Sequence, residues 1–115
     1  MLENRSDDGR LSEASRDELL VVRAQLGDQS AWRELIDRWH PRLHRFVARM
    51  VDDVAASEDI SQTVWLKVVR SLTSLRDTSN AGPWLYSIAR KSVTDHLRRQ
   101  YRRVPVEPVL EVADE

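Results

Sequence analysis

From Ser15 onward, apolar residues recur along the chain at steps of three and four, the spacing of helices with one buried face. Ser15-Arg-Asp-Glu18 has the form of a capping box, in which hydroxyl and carboxylate satisfy reciprocal backbone N–H groups. Leu19, Val22 and Leu26 follow at helical spacing, and Gly27 suits the left-handed stop, so a short first helix is predicted here. Asp28 is placed to cap a second helix, whose inward stripe is Trp32, Leu35, Ile36, Trp39, Leu43, Phe46, Val47 and Met50. Pro41 lies within that stripe and predicts a kink or break near Trp39–His40, while the stripe keeps its phase across it, as in one bent helix or two nearly collinear ones.

A third helix is predicted from about Ala55 to Leu75, with Ser57-Glu58-Asp59 in its first turns and Ile60, Val64, Val68, Leu72 and Leu75 facing inward. Trp65, Leu66 and Val69 fall off that stripe, leaving apolar surface of the kind that meets a partner. Residues 76–83 are dense in turn formers, and Pro83 suits the first position of a fourth helix. That helix buries Trp84, Leu85, Ile88, Ala89, Val93, Leu97 and Tyr101 in this reading. Residues 1–14 read as a disordered lead, 15–103 as the domain, and 104–115, with Pro105 and Pro108, as an acidic linker or tail. The fold class is all-α, a compact bundle of three to five helices.

Composition narrows the chemistry. With 115 residues the chain suits one domain, and three Gly and four Pro favour helices over a hairpin-rich fold. The absence of cysteine removes disulfides, thiolate metal sites and a Cys nucleophile. No apolar run approaches a bilayer span and no apolar signal core opens the chain, so a cytoplasmic setting without membrane insertion is expected. His40 and His44 stand four apart, but no third ligand is near and Pro41 lies between them, so no metal is assigned. No nucleophile–base pairing or phosphate-cradling glycine loop is present, and neither an enzyme nor a cofactor is expected.

The formal net charge of −1 hides a strong asymmetry. Residues 76–103 carry seven basic and two acidic side chains, net +5, whereas residues 104–115 carry four acids and no base. Lys91, Arg98 and Arg102 share one side of the fourth helix at steps of seven and four, flanked by Arg99 and Arg103. Guanidinium groups on a rigid helix can contact successive phosphates, and the preceding loop can offer short side chains to an unpaired base. A solvated basic face is the other reading of the same arginines.

Three segments in order resemble the extracytoplasmic-function (ECF) group of bacterial sigma factors. Gly27-Asp28-Gln29-Ser30-Ala31-Trp32 through Leu35 is similar to its "GD..AF..L" opening. Ser57-Glu58-Asp59-Ile60 through Val68 is similar to its "AEDLVQEVFLRV" helix, and Trp84-Leu85-Tyr86-Ser87-Ile88-Ala89-Arg90 with Asp95 and Leu97-Arg98-Arg99 to its "WLYRIARN…D.LRR" helix. The resemblance implies a region-2 domain, a non-enzymatic module that binds the β′ coiled coil of core RNA polymerase. It also implies recognition and melting of the −10 promoter element, with the non-template single strand held by the protein. Docking would fall to the third helix, at Asp59 and Gln62 with Leu66, Lys67 and Arg70 nearby. DNA reading would fall to Arg76, Asp77, Thr78, Ser79 and Asn80 of the loop and to Lys91, Arg98, Arg99, Arg102 and Arg103. An anti-sigma factor is a further partner the family implies.

Two positions depart from that pattern. Lys91 stands where the family commonly has Asn, exchanging a group that donates and accepts for one that only donates. Ala81-Gly82-Pro83 stands where the family often has an aromatic residue. A complete member of the group also carries a second, −35-reading helical domain, for which these 115 residues hold no segment. The rival reading is a helical interaction module or decoy that engages polymerase or an anti-sigma factor without opening DNA.

Overall fold

The computed structural model describes residues 12–103; residues 1–11 of the expected 1–14 lead and the acidic tail over 104–115 lie outside the described residues, while Glu13 and Ala14 of that lead are helical. Four α-helices follow one another: α1 (Glu13–Gln25), α2 (Gln29–Met50), α3 (Val54–Ser71) and α4 (Ala81–Arg103). Between α3 and α4 run two 3-10 turns, Leu72–Ser74 and Thr78–Asn80, and no strand occurs among the described residues.

The start of α1 differs from the sequence expectation. Ser12, not Ser15, is the cap: its hydroxyl accepts from the Ser15 N–H at 3.0 Å, so Glu13 and Ala14 are helical and the Ser15–Glu18 box does not form. The inward stripe is also shifted by about one residue. Leu20, Val21 and Ala24 are buried together with Asp17, while Leu19 is exposed and Leu26 is 82% exposed. Leu19-Leu20-Val21-Val22 is an unbroken apolar run, and such a run does not say which of its members turns inward. The ion pair of Asp17 with Arg38 on α2 accompanies the rotation, with Arg38 Nε donating to Asp17 Oδ1 at 2.9 Å.

The stop of α1 matches expectation. Gly27 has φ +95°, and its N–H and that of Asp28 return to the carbonyls of Ala24 and Arg23 at 3.0 Å each, the paired bonds of a Schellman end. Asp28 then caps α2, accepting from the N–H groups of Ser30 and Ala31, and also takes the Arg23 guanidinium at 2.8 Å. The Ser30 hydrogen bond first, then Arg23 and the Ala31 N–H, hold the Asp28 carboxyl down to about 2 from its ordinary 3.8. Because the folded value lies below the unfolded one, this group's stabilisation is complete above about pH 4 and is lost as the pH falls through about 2. Thermal melts should therefore show a gap between the wild type and Asp28→Ala at pH 5 that narrows by pH 2. A gap of constant size would assign the effect to the cap alone.

Helix α2 runs unbroken through Pro41. Pro41 is exposed, and the buried residues on either side of it, Leu35, Trp39, Leu43 and Val47, follow every fourth position without interruption. Packing on both sides of the proline thus holds the axis together where the missing N–H alone would break it. The same four-residue ridge appears on α3 as Ile60, Val64, Val68 and Leu72 and on α4 as Ala81, Leu85, Ala89 and Val93, and these rows form one core. Gly82 lies where a Cβ would sit 3.2 Å from the ring of Trp39, so the start of α4 fits closely over α2.

Helix α3 is capped by Asp53 and gives way to the 3-10 turn before reaching Leu75. Helix α4 starts at Ala81, two residues ahead of Pro83. Its buried row ends at Val93: Leu97 and Tyr101, expected inside, are 40% and 64% exposed. Leu97 and Tyr101 lie on a side of α4 that no other described helix covers, and only α4 residues surround them.

Candidate functional site

Two surfaces collect the candidate residues. The first begins at the α3–α4 connection and runs along α4. Asp77 caps the second 3-10 turn, accepting from the Ser79 N–H and hydroxyl. Thr78 donates from Oγ1 to Glu18 Oε2 on α1 at 3.0 Å. Arg76, Ser79 and Asn80 are exposed. The loop is thus fastened by two of its candidate residues and offers the other three.

Helix α1 supplies a second fastening that no motif announced. Gln25 Nε2 donates to the carbonyls of both Leu72 and Leu75 at 2.9 Å, satisfying the frayed end of α3 and fixing where the loop departs. A glutamine in the last turn of a helix carries no sequence signal for a partner 47 residues away. Beside the loop lies a hollow lined by Glu13, Asp17, Trp39, Arg42, Ser79 and Pro83. Arg42 stacks 4.8 Å over the Trp39 ring and donates to Glu13 at 3.0 Å. That hydrogen bond, with the charge of Arg38, lowers the Glu13 carboxyl from its ordinary value.

On α4 the cations differ in their freedom. Lys91 approaches Asp95 Oδ1 at 3.9 Å, whereas Arg98, Arg99 and Arg102 are exposed and pair with no carboxylate among the described residues. Arg103 closes the helix. Arg98 and Arg102 stand with Leu97 and Tyr101 around one shallow surface. Tyr101, read from the sequence as a core residue, is instead an exposed aromatic on the same surface as Arg98 and Arg102.

The second surface is on α3. Asp59, Gln62, Leu66 and Arg70 are exposed. Lys67 is not free in the same way: its Nζ donates to the Ser92 hydroxyl at 3.1 Å and lies 3.8 Å from Asp95, tying α3 to α4. Leu66 and Val69 stand 58% and 53% exposed, and with half-buried Trp65 and Ile36 and exposed His40 they line an apolar groove between α2 and α3. Trp65 Nε1 donates to His40 Nδ1 at 3.1 Å, which orients the indole in that groove. The same bond leaves His40 Nδ1 without a proton, so the ring hydrogen of the neutral form is on Nε2. His40 and His44 have ring centroids 5.7 Å apart, and no cluster of three or more potential ligands comes together among the described residues.

This arrangement has known counterparts. The family model for sigma-70 region 2 matches residues 35–103. The chain belongs to the sigma-70 region 2 family. It is 36% identical over 95 residues to the ECF RNA polymerase sigma-E factor of Escherichia coli (strain K12), covering 83% of this chain and 49% of that protein. It is 32% identical over 90 residues to the RNA polymerase sigma-H factor of Pseudomonas aeruginosa, covering 78% and 47%. The sigma factor CarQ of Myxococcus xanthus is 39% identical over 74 residues, 64% of this chain and 42% of that protein.

The region-2 domain is thus of the ECF type, and it spans about half the length of these curated relatives. An NMR structure of an engineered region 2 of sigmaE in complex with GTAAAA superposes with a TM-score of 0.71 at 32% identity. That match covers 84% of this chain and all of the other. The four-helix order described above is therefore that of region 2, and no described helix is long and apolar enough to cross a membrane.

Proposed function

We propose that this region-2 domain binds core RNA polymerase and recognises and opens the −10 promoter element. The observation that carries the DNA half is the pair Arg98 and Arg102: exposed, without a carboxylate partner among the described residues, and held on a side of α4 that no other described helix covers. The non-template strand runs along these guanidiniums to the loop, where Arg76, Ser79 and Asn80 and the hollow beside them receive an unpaired base. Strand opening then draws on binding energy alone, about 1–3 kcal/mol for each captured and stacked base. The polymerase half falls to α3, where the β′ coiled coil rests on Asp59, Gln62, Leu66 and the apolar groove.

Binding of a single-stranded oligonucleotide containing GTAAAA, measured at several salt concentrations, tests the DNA half. The affinity should fall with a slope of about −0.7 per phosphate contact. Replacing Arg98 and Arg102 together by Ala should remove two contacts, flatten that slope by about 1.4, and weaken binding at low salt by about tenfold or more. An unchanged slope would remove these arginines from the strand's path.

One observation favours the rival, an adaptor that engages polymerase or an anti-sigma factor without opening DNA. Lys91, at the position where the resemblance expects an amide, is drawn toward Asp95 instead of standing free. Normal polymerase binding with no preference for the −10 sequence would select that reading.

A further inference from the structure

The exposed arginines of α4 are not one set. Lys91, Arg98 and Arg102 form one row, while Ser92, His96 and Arg99 form another at steps of four and three, offset by one residue, about 100° around the axis. Arg98 and Arg102 border the surface with Leu97 and Tyr101. Arg99 lies on the α3 side and, with His96 and Ser92, faces Asp59, Gln62 and Leu66 across a groove between the two helices.

That groove adjoins the apolar one. Gln62 and Leu66 line both, so they form a ridge with an apolar channel toward α2 on one side and a polar channel toward α4 on the other. Two channels flanking one helix lie about 10 Å apart, the separation of two packed helices. The polar channel also leaves its charges open: neither Asp59 nor Arg99 forms an ion pair among the described residues, although both line it. A surface of this form fits a two-helix partner with apolar side chains on one helix and both a carboxylate and a cation on the other.

We infer that Arg99 belongs to the polymerase-docking surface, pairing with a carboxylate of the docking coiled coil in the α3–α4 channel, and not to the DNA path. This rests on the docking reading of α3 given above. The docking surface accordingly spans α2, α3 and α4, and the boundary between polymerase and DNA runs along α4 between Arg98 and Arg99.

The test uses the full 115-residue chain with two probes, purified bacterial core RNA polymerase and the GTAAAA-containing single strand. Four proteins are compared: wild type, Arg98→Ala, Arg99→Ala and Asp59→Ala, each checked for native helical content by circular dichroism. Arg99→Ala should weaken polymerase binding by about tenfold and leave the oligonucleotide affinity within twofold of wild type. Arg98→Ala should do the opposite. If Arg99→Ala lowers oligonucleotide affinity as Arg98→Ala does, or leaves polymerase binding unchanged while Asp59→Ala weakens it, the assignment of Arg99 is overturned. If Asp59→Ala also leaves polymerase binding unchanged, the docking role of α3 fails, and the assignment of Arg99 fails with it.

Discussion

Asp17→Ala should destabilise the domain by about 3 kcal/mol, toward the lower end of the range for breaking a buried ion pair. The Asp17 side chain is 7% exposed and that of Arg38 19%, so removing the carboxylate leaves a guanidinium that water reaches poorly. Arg38 keeps one partner, Glu13 Oε1 at 2.9 Å, which is why the upper end of the range is not expected. Burial opposes the charge on Arg38, but the hydrogen bond to Asp17 and the charges of Asp17 and Glu13 outweigh it, so its proton is held more firmly than usual. For a domain of this size the loss corresponds to a fall in Tm of roughly 10–20 °C.

Asp17→Asn, which keeps an oxygen acceptor, should lose less. The double variant Asp17→Leu with Arg38→Met should recover much of the stability, because it removes both desolvated charges together. A loss below about 1 kcal/mol for Asp17→Ala would mean that the pair behaves as a surface one. The effect should reach the loop between α3 and α4 as well, since α1 holds that loop through Glu18 and Gln25.

Leu85→Ala should cost a similar amount by another route. Leu85 is fully buried on α4 within the core rows of α2 and α3, and removing its side chain leaves a cavity that ridge-packed helices cannot collapse into. Leu-to-Ala changes at such sites cost about 2–5 kcal/mol, and about 3 kcal/mol is expected here. Chemical denaturation should show a lowered midpoint with an unchanged slope. Leu85 lies about 20 Å along the helix from Arg98, so oligonucleotide affinity at low temperature, where the variant is still folded, should stay within twofold of wild type. A loss of DNA binding in the folded variant would mean that α4 does not act as a rigid carrier of its arginines.

The separation of these effects follows from how the helices are built. Residues buried in the rows from Ala81 to Val93 hold α4 in place, and the turns beyond Val93 carry exposed chemistry on an axis already fixed. The same division holds on α3, where Val64 and Val68 face the core while Leu66 and Val69 face outward.

The linear pattern of the chain determined the helical class, the Gly27 stop, the Asp28 cap, the outward placement of Leu66 and Val69, and the basic row on α4. Each of these depends on neighbours within about one helical turn, and such information is local. It could not settle the face of α1, because Leu19 to Val22 offers four apolar residues and the choice follows from where Arg38 and the α2 ridge stand. It left open whether Pro41 bends one helix or separates two collinear ones, a choice made by packing on both sides of the proline, and it gave no sign that Gln25 would reach the end of α3. Leu97 and Tyr101 continue the apolar spacing of α4, yet they are exposed because they lie on a side of α4 that no other described helix covers. Arg98 and Arg99 are adjacent letters, and only the position of α3 against α4 sends one toward open solvent and the other into a channel with Asp59. Contacts between residues far apart in the chain depend on how helices pack, and that arrangement exists only once the core has formed.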